Sequence, residues 1–479
     1  MLLRLNYALQ IRFAIAVKII GKLLLICRYI CNVMHHFRLF NALCGDGLQL
    51  HPPAFMLVWS KGSGALAIET AQASWIKAAD LSAGRRYGAL GFLLVAYFCY
   101  AWSWNTVDIL RPYIKQSLNL SLTQSGSLYT LQSVGAIVGA VVMGQVADKI
   151  GRRNALSISM IGYGTGILAA LLVADYTQLI LQRAYLGFFM GSMFPIAVGI
   201  YSGLFARDVR GLVAGFVLGT YNVAVAALGF LSAAAFRAGY DWTVLLWIGV
   251  VPVALSLFAP LFIPDDRTLI PMDGIADGQT TAKAKLPITE LFAPGVARQT
   301  ILLATMTGLN FFAYQAFTGW ATTYLKTVRN IPDTVVGDVL GWQFVGAAIG
   351  GLIWGWISDR LGRRAAAWGF VIAAAIIPVY LFVPMGVTLL EMTGFAYGVM
   401  LSCSAIWGPW LSELYPPHLR STAASIFNWG RVISMTAPLI TAPLAEAYGL
   451  APVMSLASVS FLAAAAIWFS LPETLKRTA

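Results

Sequence analysis

The stretch GQVADKIGRR at residues 144–153 recurs as GWISDRLGRR at residues 355–364, and each copy separates two long apolar segments. Its Gly, Asp, Gly and paired Arg positions return in register, about half the chain length apart. A second junction repeats at nearly the same distance, since Arg210 in ARDVRG corresponds to Arg420 in PPHLRS. An apolar chain that repeats itself in this way indicates a duplicated bundle of helices.

The composition excludes a soluble globular protein. Apolar residues make up 59% of the chain and charged residues 11%, whereas soluble domains contain about 25% charged residues. Such a chain lacks the polar surface that water requires, so the lipid bilayer is its main surrounding. Although the net charge is +12, we find no cluster of basic residues interleaved with aromatic ones, and we expect no nucleic-acid binding.

Several kinds of chemistry leave no trace in this sequence. The five cysteines form no CxxC pair and no Cys/His set with metal-ligand spacing. No GxxxxGK(S/T) phosphate loop is present. A membrane-embedded enzyme would need a nucleophile, a metal or an acid–base set, and Asp108 is the only candidate. We therefore expect no enzyme, no metal and no cofactor.

Apolar runs of about 20 residues are long enough to cross a bilayer as helices. The chain contains twelve such runs, which predict an all-α polytopic membrane protein with two six-helix halves. The predicted spans are 88–110, 125–147, 154–174, 177–205, 212–236, 242–263, 299–325, 336–358, 366–385, 390–412, 421–445 and 450–470. Small residues at four-residue spacing predict close helix packing, at Gly135/Gly139, Gly187/Gly191, Gly215/Gly219 and Gly346/Gly350.

The loop charges predict the orientation of the chain. The loops after helices 2, 4, 8 and 10 hold nine Lys and Arg residues, and the opposite loops, to which we assign Arg111, hold five. Because cations resist translocation, the first side is predicted to be cytoplasmic, together with both termini. We expect a plasma membrane location, in bacteria the inner membrane.

The same pattern predicts five parts of the chain. Residues 1–86 form a basic extension that is either an interfacial helix or the product of a start site assigned upstream of Met56. The other predicted parts are the N-terminal half 87–264, a cytoplasmic linker 265–298, the C-terminal half 299–471 and a cytoplasmic tail 472–479.

The clearest acid inside the predicted spans is Asp108, and the two Lys or Arg residues inside them are Arg183 and Arg431. Burying an Arg in a membrane costs about 2.5–3.5 kcal/mol on insertion scales, so it requires a partner or a task. Asp108 is either a proton carrier or the fixed ionic partner of Arg183. Each Arg either binds a substrate carboxylate, for which its planar fork is suited, or ties helices together through backbone carbonyls.

Other polar and aromatic side chains at mid-span are candidates to line a central cavity and bind substrate. They cluster in helices 1, 5, 7, 10 and 11, although many tryptophans belong to interfacial belts instead. The candidates are Asn105, Asn310, Tyr314, Gln315, Trp407 and Asn428.

The repeated loop resembles the G-x-x-x-D-(K/R)-x-G-R-R motif of the major facilitator superfamily. In that family the motif Asp caps and pairs with a neighbouring helix at the cytoplasmic gate, and the resemblance covers about residues 85–475. It implies gate roles for Gly144, Asp148, Arg152, Gly355, Asp359 and Arg363.

Shorter segments are similar to the sialate/monocarboxylate (organic acid):proton symporters. WSWNTVDI at 102–109 resembles their first helix, with Asp108 as the retained acid and Asn105 in place of the other. ELYPPHLRST at 413–422 resembles their E-(L/F)-(Y/F)-P-x-x-(L/V)-R segment, which adds Glu413 and Arg420 to the gate. The usual Glu of helix 4 is absent, because Met193 and Gly203 occupy the corresponding positions.

The sequence therefore predicts a secondary transporter that takes up a small organic anion, a monocarboxylate, aromatic acid or sialate, together with protons by alternating access. The alternative is a proton-coupled efflux antiporter for drugs or metabolites. The missing Gly-Pro pair in GLVAGFVLGTYNVAVAALGF, the fifth span, weighs against efflux. The expected partners are the anionic substrate, protons and lipid, with no obligatory protein partner.

Overall fold

The computed structural model describes residues 58–59, 66–67, 76–272, 290–415 and 426–474. Most of the predicted extension 1–86, the middle of the linker, Arg420 and most of the tail lie outside the described residues. The boundaries of the five predicted parts therefore remain predictions.

Helical segments occupy the positions of the twelve predicted spans. Segments α1–α6 are Ala83–Ile109, Leu122–Ile150, Arg152–Leu172, Tyr176–Leu204, Arg207–Arg237 and Trp242–Ser256. Segments α7–α12 are Ala297–Thr327, Asp333–Leu361, Arg363–Phe382, Val387–Ile406 continued by Trp407–Leu414, Ile426–Ser434 followed by Ala437–Tyr448, and Leu450–Ser470. We call α1–α6 the N-terminal set and α7–α12 the C-terminal set.

Nine of the described helices are long and apolar enough to cross a membrane, which makes the chain a polytopic membrane protein. Segments α6, α7 and α11 are not among the nine. Two of them, α6 and α11, are divided into shorter helices. The third, α7, carries buried polar residues that lower its hydropathy, including Asn310 and Gln315.

Two short strand pairs accompany the helices. Strand β1 (Val58–Trp59) pairs antiparallel with β2 (Leu66–Ala67), and β3 (Ile76–Lys77) pairs parallel with β4 (Leu269–Ile270). The second pair joins the backbone just before α1 to the start of the linker.

Several helices extend past the predicted span limits, and local sequence explains where they begin and end. Helix α2 begins at Leu122 because Ser121 and Gln124 form a reciprocal capping box. It ends before Gly151, whose φ is 88°, and α8 likewise ends before Gly362, whose φ is 106°. Only glycine adopts such angles without strain, which explains why the repeated motif carries a glycine at this position.

Glycines lock α2 against α4 at the level of the backbone. A methyl group on Gly187 would overlap the carbonyl oxygen of Gln132, and one on Gly139 would overlap that of Phe188. The predicted packing roles of the glycine pairs at 135/139 and 187/191 are confirmed. The pair at 346/350 packs α8 against α10 in the same way.

The third glycine pair, Gly215/Gly219 on α5, does not pack against a helix. A Cβ at either position would meet nothing within 4 Å, whereas Gly229, farther along α5, touches the backbone of Gly337 and Gly341 on α8. The prediction of close packing at Gly215/Gly219 is wrong because the two sets separate along this helix.

The bundle has two ends, which differ in how closely the two sets approach each other. The motif face carries residues 144–153 and 355–364, and the opposite face carries the short helix Arg111–Ser117 after α1 and the turn after α7. At the opposite face Arg237 of α5 forms an ion pair with Asp338 of α8, and the backbone N–H of Thr123 donates to Glu446. The two sets are therefore joined at the opposite face and splay apart toward the motif face.

Candidate functional site

Three helices meet at Asn105, halfway along the space between the two sets. Its Nδ2 atom donates to the hydroxyl of Tyr221 on α5 at 2.9 Å, and the hydroxyl of Tyr314 on α7 donates to its Oδ1 at 3.4 Å. Asn105 itself is buried, whereas both tyrosines are half-buried. The predicted candidates Asn105 and Tyr314 are thus brought together across the sets.

The guanidinium group of Arg431 lies in the same region. Its Cζ atom is 5.1 Å from the centroid of the Trp104 ring, and it interacts electrostatically with Tyr100, Tyr129 and Tyr221. Arg431 is half-buried, and no carboxylate among the described residues forms an ion pair with it. A partly accessible cation without an acidic partner is suited to bind an anion.

Aromatic rings form the wall around this cation. Tyr97 and Tyr100 have ring centroids 5.1 Å apart, Tyr100 and Tyr221 are 6.3 Å apart, and Trp104 meets Tyr129 edge-on at 6.4 Å. Such rings offer flat apolar faces and polar hydroxyl edges to the same ligand. The region therefore combines a positive charge with surfaces that suit a planar, partly polar molecule.

Asp108 forms an ion pair with Arg111, in which Nη2 and Oδ1 are 2.7 Å apart. Gln315 of α7 donates to the same Oδ1 atom at 2.9 Å. Asp108 is 3% exposed and Arg111 is 0% exposed. Both the assignment of Arg111 to an outer loop and the alternative of an Asp108–Arg183 pair are therefore wrong. The i,i+3 spacing brings Arg111 back over the last turn of α1.

Arg183 ties three helices of the N-terminal set together. Its Nη1 atom donates to Thr106 of α1 at 3.1 Å and to Gln132 of α2 at 3.4 Å. It is 0% exposed. This geometry corresponds to the structural interpretation of Arg183, although its partners are side chains and not backbone carbonyls.

The remaining binding candidates are more scattered. Asn310 is buried, and its side-chain oxygen has no hydrogen-bond partner among the described residues. Trp407 is also buried, and it packs against Phe370 and Trp468 inside the C-terminal set. The side chain of Asn428 lies outside the described part of the chain.

At the motif face, two carboxylates cap helix N-termini: Asp266, which follows the N-terminal set, caps α3, and Glu473, which follows the C-terminal set, caps α9. The N–H of Arg152 donates to both oxygens of Asp266, and that of Arg363 donates to Glu473 at 2.9 Å. A carboxylate at a helix N-terminus satisfies free N–H groups and the helix dipole. In this conformation these acids, and not the motif residue Asp148, provide the helix caps.

The second motif copy also holds an ion-pair network. The guanidinium of Arg363 binds Asp359 at 2.6 Å and Glu413 at 2.7 Å. Burial favours a higher pKa for Glu413, but hydrogen bonds from Arg363 and Thr474 outweigh it and leave that pKa below the ordinary value. These predicted gate residues do meet, all within the C-terminal set.

The first motif copy is arranged differently. Asp148 is exposed and has no hydrogen bond or ion pair within the part of the chain that the structure describes. A Cβ at Gly144 or Gly355 would meet nothing within 4 Å, so no helix packs closely there in this conformation. Arg420 lies outside the described residues.

We call the rings around Arg431 the tyrosine wall; they are Tyr97, Tyr100, Trp104, Tyr129 and Tyr221. Sequence reasoning missed Arg111 and most of this wall. The spacing of Tyr97, Tyr100 and Trp104 places them on one face of α1, and this pattern was available in the sequence. For Arg111 the available signal was its position one turn after Asp108.

Comparison with known proteins identifies a family of membrane transporters. The profile of the Major Facilitator Superfamily matches residues 93–435 and 303–479, in two overlapping stretches. The chain is 24% identical to the cis,cis-muconate transport protein of Acinetobacter baylyi, over 68% of this chain and 79% of that protein. It is also 24% identical to the 4-hydroxybenzoate transporter PcaK of the same species, over 67% and 76% respectively.

A solved structure shares the fold. The bacterial homologue of the human lysosomal transporter Spinster, in an inward-facing and unoccupied conformation, superposes with a TM-score of 0.67 at 16% identity. The match covers 81% of this chain and 96% of that one.

Proposed function

Because the chain belongs to the Major Facilitator Superfamily, and is a transporter and not an enzyme, we propose that it takes up a small aromatic carboxylate together with protons by alternating access. The resemblance of its helix segments to organic acid symporters supports this choice. So do the two relatives that are named for muconate and 4-hydroxybenzoate.

The observation that carries the proposal is the position of Arg431. Its guanidinium lies between the two sets, is half-buried, and faces aromatic rings instead of an acid. A carboxylate would supply the missing negative charge through two parallel hydrogen bonds. A neutral sugar would leave this cation without a counter-charge.

The tyrosine wall favours an aromatic substrate. Rings at 5–6 Å separation stack on or meet one another edge-on, and the hydroxyls of Tyr221 and Tyr314 meet at Asn105 as a second polar point. A flat ring with its carboxylate on Arg431 and a polar substituent near Asn105 would use both features.

Three buried charges of the N-terminal set favour joint loading of substrate and proton. Two buried cations, Arg111 and Arg183, lie near the single carboxylate of Asp108. Protonation of Asp108 alone would leave both cations without a counter-charge, which is costly in a medium of low dielectric constant. A substrate carboxylate adds one negative charge to this space, so the anion and the proton compensate each other.

We assign the motif face to the cytoplasm, in accordance with the loop charges. The splayed motif face then makes this conformation inward-facing, and the two motif copies act as the cytoplasmic gate that closes in the opposite state. Because the relatives are bacterial, we assign the protein to a bacterial inner membrane, and the loop charges favour cytoplasmic termini.

Uptake into proteoliposomes tests the proposal. A panel of radiolabelled benzoates, muconate and sialate is compared with matched amides and neutral sugars, with and without an inward proton gradient. Gradient-stimulated uptake of aromatic acids, but not of their amides, is the expected result. Transport restricted to neutral sugars, or uptake that ignores the proton gradient, would contradict the proposal.

A further inference from the structure

Arg111 is a fully buried cation that touches both sets. Its Nη2 atom binds Asp108 within the N-terminal set, and its Cζ atom lies 4.3 Å from the centroid of the Trp320 ring in the C-terminal set. Arg183, the other fully buried arginine on the described chain, makes its hydrogen bonds within the N-terminal set alone.

Besides Arg111, residues of two further helices contact Trp320. Its Nε1–H donates to Thr441 of α11 at 2.9 Å, and a Cβ at Gly126 of α2 would lie 3.3 Å from its ring. The ring is 0% exposed. Trp320 therefore fills the junction of α1, α2, α7 and α11 on the side of the opposite face.

Asp108 links the same helices a second time. Its Oδ1 atom accepts hydrogen bonds from Arg111 on its own set and from Gln315 on α7. The Asp108–Gln315 hydrogen bond and the Arg111–Trp320 contact both join the N-terminal set to α7, and both depend on the one carboxylate. The passage toward the opposite face cannot open along α1 and α7 until these contacts separate.

We propose that Arg111 is a positioning residue that latches α1 to α7 through Trp320 and holds the opposite face closed. Opening at that face requires the guanidinium to leave the indole ring while Asp108 retains it on α1. The latch would thereby control how often the protein opens at the opposite face, both without substrate and with substrate bound. Its part in a transport cycle rests on the proposed function, whereas its effect on closure does not.

Thiol labelling measures closure without any substrate. Ala442 is 0% exposed and faces Gly126 beside Trp320, so a cysteine there reacts only when α2 and α11 separate. The reporter Ala442→Cys is placed in full-length protein whose native cysteines are replaced, and its reaction with a polar maleimide is followed in detergent. We expect Arg111→Gln to accelerate labelling at least about fivefold, the lower end of coupling between linked states.

Two further variants separate a latch from general damage. Arg111→Lys keeps a cation for both contacts and should restore slow labelling. The double variant D108N/R111Q removes both members of the buried ion pair and should label as fast as R111Q. Arg298→Gln removes an exposed arginine near the start of α7, outside both motif copies, and it serves as the control with an unchanged rate.

Equal labelling of the parent, R111Q and the double variant, each eluting as folded protein on gel filtration, would overturn the latch. Should R111Q fail to fold, the double variant and Trp320→Phe decide, because each must still label faster than the parent. The absence of carboxylate uptake would contradict the proposed function but would leave the labelling result intact.

Discussion

The Nη2 atom of Arg111 lies 2.7 Å from Oδ1 of Asp108 at the end of α1, and both side chains are buried. This pair places a compensated charge in the low-dielectric space between the two sets, within one hydrogen bond of α7. A buried pair of this kind is sensitive to the loss of either partner, because the remaining charge is left without compensation.

We expect Asp108→Asn to abolish uptake driven by a proton gradient while substrate exchange is partly retained. The amide can still accept from Gln315 but cannot take up a proton, so the coupled step is lost and the binding region persists. Uptake and counterflow into the same proteoliposomes measure the two activities.

The control for this variant is Asp333→Asn, which removes an acid paired with Lys326 at 3.0 Å on the exposed opposite face. An exposed pair contributes about 0–1 kcal/mol, so gradient-driven uptake should be unaffected. Unaltered gradient-driven uptake by Asp108→Asn would show that the coupling site lies elsewhere.

Arg431→Gln should weaken carboxylate binding strongly. A hydrogen bond to a charged group contributes ~2 kcal/mol, which corresponds to a ~30-fold loss of apparent affinity. Binding of an aromatic acid to purified protein by isothermal titration calorimetry measures the change, and Arg298→Gln, at an exposed arginine of α7, provides the control. An affinity equal to that of the parent protein would exclude Arg431 as the carboxylate ligand.

Two glycines should respond in opposite ways to a single methyl group. Gly187→Ala drives its Cβ into the backbone of Gln132, and overpacking of this kind costs about 1–3 kcal/mol. Gly215→Ala meets no atom within 4 Å and gains helix propensity. Thermal unfolding in detergent should therefore show a lower Tm for the first variant and an equal or higher Tm for the second. A Gly187→Ala protein as stable as the parent would contradict the interlocking of α2 and α4.

The network at the second motif copy should lose stability in acid. The pKa of Glu413 is lowered in the folded protein because hydrogen bonds from Arg363 and Thr474 outweigh its burial. A lowered folded-state pKa means that the stabilisation is present above the ordinary value of about 4.3 and is lost as the pH falls through the folded value.

Glu413→Gln should accordingly be less stable than the parent protein at neutral pH, and this difference should shrink as the pH falls below about 4.3. Melting temperatures measured across this range in the same detergent test the expectation. A difference that stays constant with pH would show that the carboxylate charge of Glu413 does not stabilise the fold.

The helical bundle follows from patterns that a sequence displays directly. Long apolar runs, the repeated motif and glycines at four-residue spacing depend on neighbours within the same helix. Asp108 and Arg431 were identifiable because a charge inside an apolar run is costly wherever the helix lies.

The contact between Arg111 and Trp320 shows why the rest could not be predicted. Counting cations places every Lys or Arg beyond an apolar run in a loop, and nothing near Arg111 signals that Trp320, about two hundred residues later, covers it. Gly215 illustrates the converse, since its spacing is that of a packing glycine but no helix lies opposite it in this conformation. Both outcomes depend on how the two sets approach each other, which local sequence does not encode.

The interlocked backbones of α2 and α4 leave no room for one of these helices to slide along the other. Helices α2 and α4 must then turn together, and the hydrogen bond from Gln132 of α2 to the carbonyl oxygen of Trp104 transmits this movement to α1. The transport rate should in consequence depend on bilayer thickness, so lipids with shorter or longer acyl chains would change that rate without any change in the protein.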